Sequence, residues 1–375
     1  MSDFIPEKYS QNWLMQTESL EALTRKLEHE LRISQSEQCA CFRGSASRRG
    51  EYSCNEEPKL NTLIYHHYQH LAVNSSPVMH EGQIYYGTED GYIISFDLMR
   101  LRENWRSRTK ARVKASPLVY RNRVYSGSFD HNFYCLDTKT GFPRWSFQTT
   151  DWIFSSALAF EDLIIFGGMD KTVYALDFKT GKEVWKYKAE GWFIASPTLW
   201  KDKIVIGSRD KHLHIINAID GKPANKIFIG DRIHSTAAIH EDIAVFGTVD
   251  RSLYAIDLRK GEILWKADVG GPVVSSPCIL NNTMIIGCRD GSLYCLNIET
   301  GNKDWVLETG AAIHSSPVSG GKNIYFGNDA GRIYKVAADT GLVLQTKSTD
   351  DQIRSSALIS DSRLIVGGIW LHIFD

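Results

Sequence analysis

Apolar and polar positions along most of this chain fall into short runs that no ordinary helix would produce. Residues 192–229 show the pattern. Residues 192–200 are largely apolar around Ser196-Pro197, residues 203–208 read K-I-V-I-G-S, and the runs 212–217 and 224–229 follow. Turn-forming pairs separate them at Lys201-Asp202, Arg209-Asp210 and Asp220-Gly221. Short runs bounded by such signals predict strands, four in this stretch, and none has the length of a usual helix.

The same pattern returns every 40 residues. A Ser-Ser-Pro or Ser-Ser-Ala signature places its second residue at Ser76, Ser116, Ser156, Ser196, Thr236, Ser276, Ser316 and Ser356. A fixed period of this size marks a repeat architecture. Gly fills one strand column from Gly87 to Gly367, which predicts a close backbone approach or a bulge. Asp fills the next turn in six copies, Asp90 to Asp290, and is expected there for its tolerance of left-handed turn geometry. A Tyr column follows from Tyr134 to Tyr334, with His214 as its exception, and then a Trp column broken by Asn225 and Gln345.

Four strands per unit and eight units predict an all-β, eight-bladed β-propeller of four-stranded blades. The last copy stops at Asp375 without a fourth strand, while residues 62–69 read as an orphan fourth strand ahead of the first blade. Pairing the two would close the ring and remove exposed edges. The propeller is expected over residues 58–375. Residues 1–57 are expected to form an N-terminal helical extension and a Cys-containing polar linker.

The stretch Ala175-Leu-Asp-Phe-Lys-Thr-Gly-Lys-Glu-Val-Trp185 resembles the A-x-D-x-x-T-G-x-x-x-W tryptophan-docking motif of the PQQ-like propeller superfamily. Variants of it end at Trp145, Trp265 and Trp305. The resemblance implies the eight-bladed fold. That superfamily includes quinoprotein dehydrogenases and an outer-membrane assembly lipoprotein, so it does not by itself imply one activity. The adjacent Cys pair and the calcium-binding carboxylates typical of the quinoprotein branch have no counterpart here, and PQQ is not an expected cofactor.

Composition narrows the setting. A net charge of −1 with 43% hydrophobic residues suits one large soluble domain, with no basic patch that demands nucleic acid. No secretory leader or membrane-length apolar run is evident, and a cytoplasmic location is expected. Seven cysteines, an odd number, favour free thiols. Residues 13–33 read as an amphipathic helix with Leu20, Leu23, Leu27 and Leu31 on one face, either capping the propeller or docking a partner. Cys39, Cys41 and Cys54 in the Ser- and Arg-rich segment 34–57 could bind zinc, although their spacing fits no standard finger; the alternative is unliganded thiols, with Arg43, Arg48 and Arg49 able to lower a thiol pKa if close to it.

The segment before each Ser-Ser signature varies between copies while the scaffold columns hold, which is where a repeat protein builds a binding surface. In a propeller that segment lies near the axis. It supplies Arg112, Lys114, Trp152, Phe154, Trp192, Arg232, His234, His314 and Arg354, an aromatic wall with cationic groups elsewhere. Such a funnel suits a ligand with an anionic part and a flat or apolar part. Two plainer outcomes stand beside it: aromatics that merely fill the axis, and Asp151, Asp231, Asp350 and Asp351 neutralising the Arg and Lys. The expected function is a non-catalytic propeller holding a protein or peptide partner on its funnel face. The alternative is a cofactor- or metal-dependent enzyme that uses the same residues, with His234 and His314 as candidate metal ligands.

Overall fold

A computed structural model of the 375-residue chain describes residues 40–52, 56–60, 63–67, 72–360 and 362–375. The repeat becomes eight antiparallel four-stranded blades, one of them extended by a fifth short strand. Blade 4 is typical: Thr198–Trp200 is innermost, followed outward by Lys203–Gly207, His212–Asn217 and Pro223–Phe228. Its first strand is shorter than the apolar run predicted, because the amide of Phe193 bonds instead to Gly168 O of the preceding blade. In the last blade, Leu63–His67 supplies the fourth strand, antiparallel to Leu371–Phe374, with Leu63 opposite Phe374. Among the described residues there is no helix. The helix expected over 13–33 lies outside them.

Adjacent blades are joined by three columns of the repeat. The first is the Gly column, where backbones approach closely. A Cβ built on Gly207 would stand 2.7 Å from Ile233 Cβ, too close for any real side chain, so only Gly lets Ile233 of the next blade seat against this strand. The second is the Trp column. Trp185 Nε1 donates to Ala218 O at 3.0 Å, and its ring covers Gly221, whose φ of +70° is left-handed. Trp105, Trp145, Trp265 and Trp305 repeat that bond to the following blade. Blade 7 has Gln345 instead, and its Oε1 accepts from the amide of Leu60 at 3.1 Å, while Tyr325 Oη donates to Pro58 O at 3.0 Å. Residues 56–60 thus seal the seam between blades 7 and 8 where no Trp can.

The third column explains the paired serines. The first Ser stays within its blade; Ser75 Oγ donates to Gly87 O at 3.0 Å, and Ser355 Oγ to Gly367 O at 3.0 Å. The second reaches across. Its hydroxyl accepts the amide of the equivalent residue in the preceding blade, from Ser76 N to Ser116 Oγ around to Ser356 N to Ser76 Oγ, at 2.9–3.2 Å. The result is a closed ring of buried hydrogen bonds about the axis. Thr236 takes part through its hydroxyl in the same way.

The Asp column works differently from expectation. The left-handed residue is the one after each Asp (His131 at φ 70°, Lys171 at 68°, Lys211 at 71°, Arg251 at 69°), not the Asp itself. In three blades the Asp side chain accepts both from the amide two residues on and from the Tyr column: Asp130 from Asn132 N at 3.0 Å and Tyr134 Oη at 2.7 Å, Asp170 from Thr172 N at 3.2 Å and Tyr174 Oη at 2.7 Å, and Asp290 from Ser292 N at 2.8 Å and Tyr294 Oη at 2.6 Å. In those blades the two columns act as one unit, whereas Tyr254 Oη bonds Asp231. Where His214 replaces Tyr, its Nε2 meets Asp210 Oδ1 at 3.0 Å and its Nδ1 meets Tyr187 Oη at 2.9 Å.

Residues 40–52 are not a linker beside the ring. They lie inside it, against the innermost strands. Ala40 pairs with Val119, and the amides of Leu199, Ile239, Ile279 and Ser319 donate to Ala46 O, Ser47 O, Arg49 O and Gly50 O. Glu51–Tyr52 then pairs in parallel with Val318–Gly320 as the fifth strand of blade 7. The physical reason is that each innermost strand has an edge facing the axis, and its polar groups need partners.

Candidate functional site

One end of the axis opens into a cavity of about 370 Å³ whose wall is drawn from all eight blades. It sits above the Ser/Thr ring, so the rigid ring holds the residues two positions upstream: Asn74, Lys114, Phe154, Ile194, His234, Val274, His314 and Arg354. Along this segment directions alternate. Ile153, Phe193 and Ile233 are fully buried between blades, while Phe154, Ile194 and His234 face the cavity. Five residues expected from sequence, Lys114, Phe154, His234, His314 and Arg354, therefore line one site. Arg112, Trp152, Trp192 and Arg232 do not. They stand one alternation farther out and turn to neighbouring loops.

A second variable column, missed by sequence reasoning, organises those contacts. It runs Glu89, Phe129, Arg209 and Asp329, and its amides bond to the carbonyls of Ala72, Arg112, Trp192 and Ala312. Phe129 stacks on Trp152 with centroids 4.8 Å apart and planes at 11°, and lies 6.0 Å from Phe154. Lys114 Nζ stands 5.8 Å from the Phe129 centroid. Trp192 is covered by the Arg209 guanidinium at 4.7 Å. The signal available in sequence was the same one used for the first column: these positions, two residues after the Gly column, vary between copies.

The cationic groups are compensated, by acids other than those expected. Glu89 accepts from Asn74 at 2.6 Å and pairs with Lys114 at 3.2 Å and Arg112 at 3.4 Å. Asp329 holds Arg354 in a fork of two 3.0 Å bonds and lies 3.6 Å from His314. Arg232 pairs with Asp250 at 2.8 Å. By contrast, Asp231 bonds Tyr254 and Asp351 bonds His372. Burial pushes the His234 imidazole down to about 4, with Arg209 and Arg232 adding to the effect. Burial also lowers His314. Both are neutral near pH 7, so the histidines add hydrogen-bonding groups to the funnel and not charge. His234 Nε2 is buried with no hydrogen-bond partner.

The floor of the funnel is Phe42, from the segment inside the ring. Sequence reasoning did not find it, because nothing in residues 34–57 marks them as axial. Blades 3, 4 and 6 thus give an apolar arc of Phe154, Ile194 and Val274 over Phe42. Blades 7, 8, 1 and 2 give a polar arc of His314, Arg354, Asn74 and Lys114.

The proposed zinc site is not assembled among the described residues. Cys41 is buried in the apolar cluster with Leu118, Tyr125 and Phe133, and Arg43 and Arg48 turn to main-chain carbonyls. Cys39 and Cys54 lie outside the described residues. No group of three His, Cys, Asp or Glu among the described residues could hold a metal ion. The described cysteines, Cys41, Cys135, Cys278, Cys288 and Cys295, are all buried.

Solved structures share this architecture. BamB from Moraxella catarrhalis superposes with a TM-score of 0.73 at 17% identity, covering 84% of this chain and 97% of that one. A europium-containing methanol dehydrogenase gives 0.77 at 12% identity over 90% and 92% of the two chains. A quinohemoprotein alcohol dehydrogenase from Pseudomonas putida HK5 gives 0.73 at 13% identity over 90% and 76%. Comparison with curated proteins finds no match. The family model described as outer membrane protein assembly factor BamB matches residues 59–155, 149–224 and 228–368. With its Trp-docked, Gly-seated blades, the chain belongs to that PQQ-type repeat family of eight-bladed β-propellers.

Proposed function

We propose that this chain is a non-catalytic, intracellular propeller that holds an extended segment or chain terminus of a protein partner in its funnel. The observation that carries the reading is the division of the cavity into an apolar arc around Phe154 and Phe42 and a polar arc around Lys114 and Arg354. A surface of that kind suits one apolar side chain beside hydrogen-bonding main chain or a carboxylate. The volume, about 370 Å³, takes the tip of a partner and not a folded domain. Exposed Trp152, stacked on Phe129 next to Phe154, extends the apolar arc outward, and Trp is a residue type enriched among interface anchors. The family's outer membrane protein assembly factor lends an assembly role, and the buried thiols of Cys135, Cys278, Cys288 and Cys295, none in a disulfide, support an intracellular setting.

The test is selection from a phage-displayed random peptide library on the wild-type chain, repeated on Phe154→Asp. The reading expects a shared peptide motif on the wild type that is lost on the variant. Equal enrichment on both proteins, or no enrichment at all, contradicts it.

A second reading, a small cofactor in the funnel, is favoured by one observation: His234 Nε2 is buried beside the cavity without a partner. An absorbance spectrum and elemental analysis of protein purified under reducing conditions test it. A bound chromophore or stoichiometric metal supports this reading over the first, and a colourless, metal-free protein goes against it.

A further inference from the structure

The inner wall of the ring has a chemistry of its own, set by the Pro of the Ser-Ser-Pro signature. Proline has no N–H, so in the five blades that carry Pro77, Pro117, Pro197, Pro277 and Pro317 this level offers only a carbonyl oxygen, and Ala157 of blade 3 offers its carbonyl at the same level. Pro197 O, Pro277 O and Pro317 O all accept hydrogen bonds from guanidinium groups. Two residues farther along, the wall presents amides, from Val119 to Ser319. A segment that satisfies both levels must bring main-chain carbonyls for the amides and side-chain cationic donors for the oxygens.

Residues 40–52 meet both needs. Arg43 is 1% exposed and Arg48 0% exposed. Arg43 bonds Ser276 O at 3.0 Å and Pro317 O at 3.3 Å, and it folds its own segment by bonding Arg48 O at 3.0 Å. Arg48 bonds Ala157 O at 2.7 Å, Pro197 O at 3.3 Å and Phe42 O. Every one of these partners is a main-chain carbonyl. Burial pushes the Arg43 guanidinium down to about 10, which still leaves it charged at neutral pH. Gly50, at φ +69°, is required as well: a Cβ there would run into the Arg43 guanidinium and stand 3.2 Å from Pro317 O.

The segment supplies partners to the inner edges but no strand that the four-stranded blades lack. Each has its four strands, and the Ser/Thr ring closes through blade residues alone. The segment crosses from blade to blade, bonding in turn to blades 2, 4, 5, 6 and 7. Its attachments are those of a peptide in a binding groove.

We propose that the axial channel is a receptor for an extended, arginine-bearing peptide, filled in this chain by residues 40–52 as an internal ligand that exchanges with the same peptide supplied in trans. Its pattern is two arginines five residues apart, with Gly two residues after the second. Because Phe42 belongs to the ligand and also floors the funnel, vacating the channel deepens the funnel and refilling it by the peptide restores the floor. The proposal stands independently of what the funnel itself binds.

The test uses the full chain with a protease recognition sequence inserted between residues 54 and 55, cut after folding. A fluorescent synthetic peptide of residues 38–54 is then added and followed by anisotropy and size exclusion. The proposal expects the N-terminal fragment to stay with the ring after cutting and to be replaced by the labelled peptide. A peptide carrying Arg43→Ala and Arg48→Ala should compete about 100-fold more weakly, the scale of losing hydrogen bonds to charged groups. Three results overturn it: loss of the fragment with no uptake of peptide, a fragment that never exchanges short of unfolding, or equal competition by the double-alanine peptide.

Discussion

The amide of Ser356 donates to the hydroxyl of Ser76 at 3.0 Å, although 280 residues separate them. That bond completes the axial ring, and each hydroxyl in the ring has the same task of satisfying a buried amide in the neighbouring blade. Ser76→Ala leaves the Ser356 amide buried without a partner, a cost of about 1–3 kcal/mol. Ser76→Thr keeps the hydroxyl, as Thr236 does naturally, and costs much less. Denaturant midpoints of the two variants check this; equal loss for Ala and Thr contradicts it.

The Gly column makes a steric prediction. Gly207→Ala places a methyl group against Ile233 and destabilises the ring by about 1–3 kcal/mol, the usual cost of overpacking. Introduced on an Ile233→Ala background, the same change costs less, because the obstructing side chain is gone. A double-mutant cycle by urea unfolding reads the coupling directly.

Blade 4 carries Asn225 where the docking Trp stands in five other blades, and Gly261 waits opposite it with a φ of +72°. Asn225→Trp should dock on that glycine and stabilise the protein by about 0.5–2 kcal/mol, as filling an existing gap commonly does. The opposite change, Trp185→Phe, removes the bond to Ala218 O and destabilises by about 1 kcal/mol. Thermal midpoints measured side by side distinguish gain from loss.

His234 gives a pH dependence. Its folded pKa, about 4, lies below the ordinary value of 6.5, so the unfolded chain binds more protons at pH between these limits. Its contribution to stability is full above pH 6.5 and is lost as pH falls toward 4. His234→Gln should therefore reduce the fall in denaturant midpoint between pH 7 and pH 4.5. Direct titration of the imidazole by NMR should give a midpoint well under 6, rising in Arg209→Ala.

How much of this was legible in sequence depended on distance along the chain. The blades were, because their strands bond to neighbours within one 40-residue period, and every period repeats the evidence. The Gly column declared a close approach, and Ile233 supplies it. The role of the second serine was not legible, since a column of serines does not reveal that its hydroxyls serve the preceding blade. The charges of the funnel were misjudged for a related reason: Glu89 and Asp329 belong to a different loop from Lys114 and Arg354. Residues 40–52 were read as a polar linker because they have no apolar period. Their order comes from Arg43 and Arg48 reaching carbonyls more than 100 residues away in sequence, as in the bonds from Arg43 to Ser276 and from Arg48 to Ala157.

The most direct test of the funnel as a partner site is a calorimetric titration of one library-selected peptide against wild type, Phe154→Asp, Arg354→Asp and Leu264→Asp. Leu264 is an exposed residue on the outer strand of blade 5, far in the fold from the axis, and serves as the control. The account predicts that each funnel variant weakens binding about 30-fold or more, the scale of an interface hot spot, while Leu264→Asp binds as wild type does. Unchanged affinity in Phe154→Asp and Arg354→Asp, with both proteins folded, would contradict it.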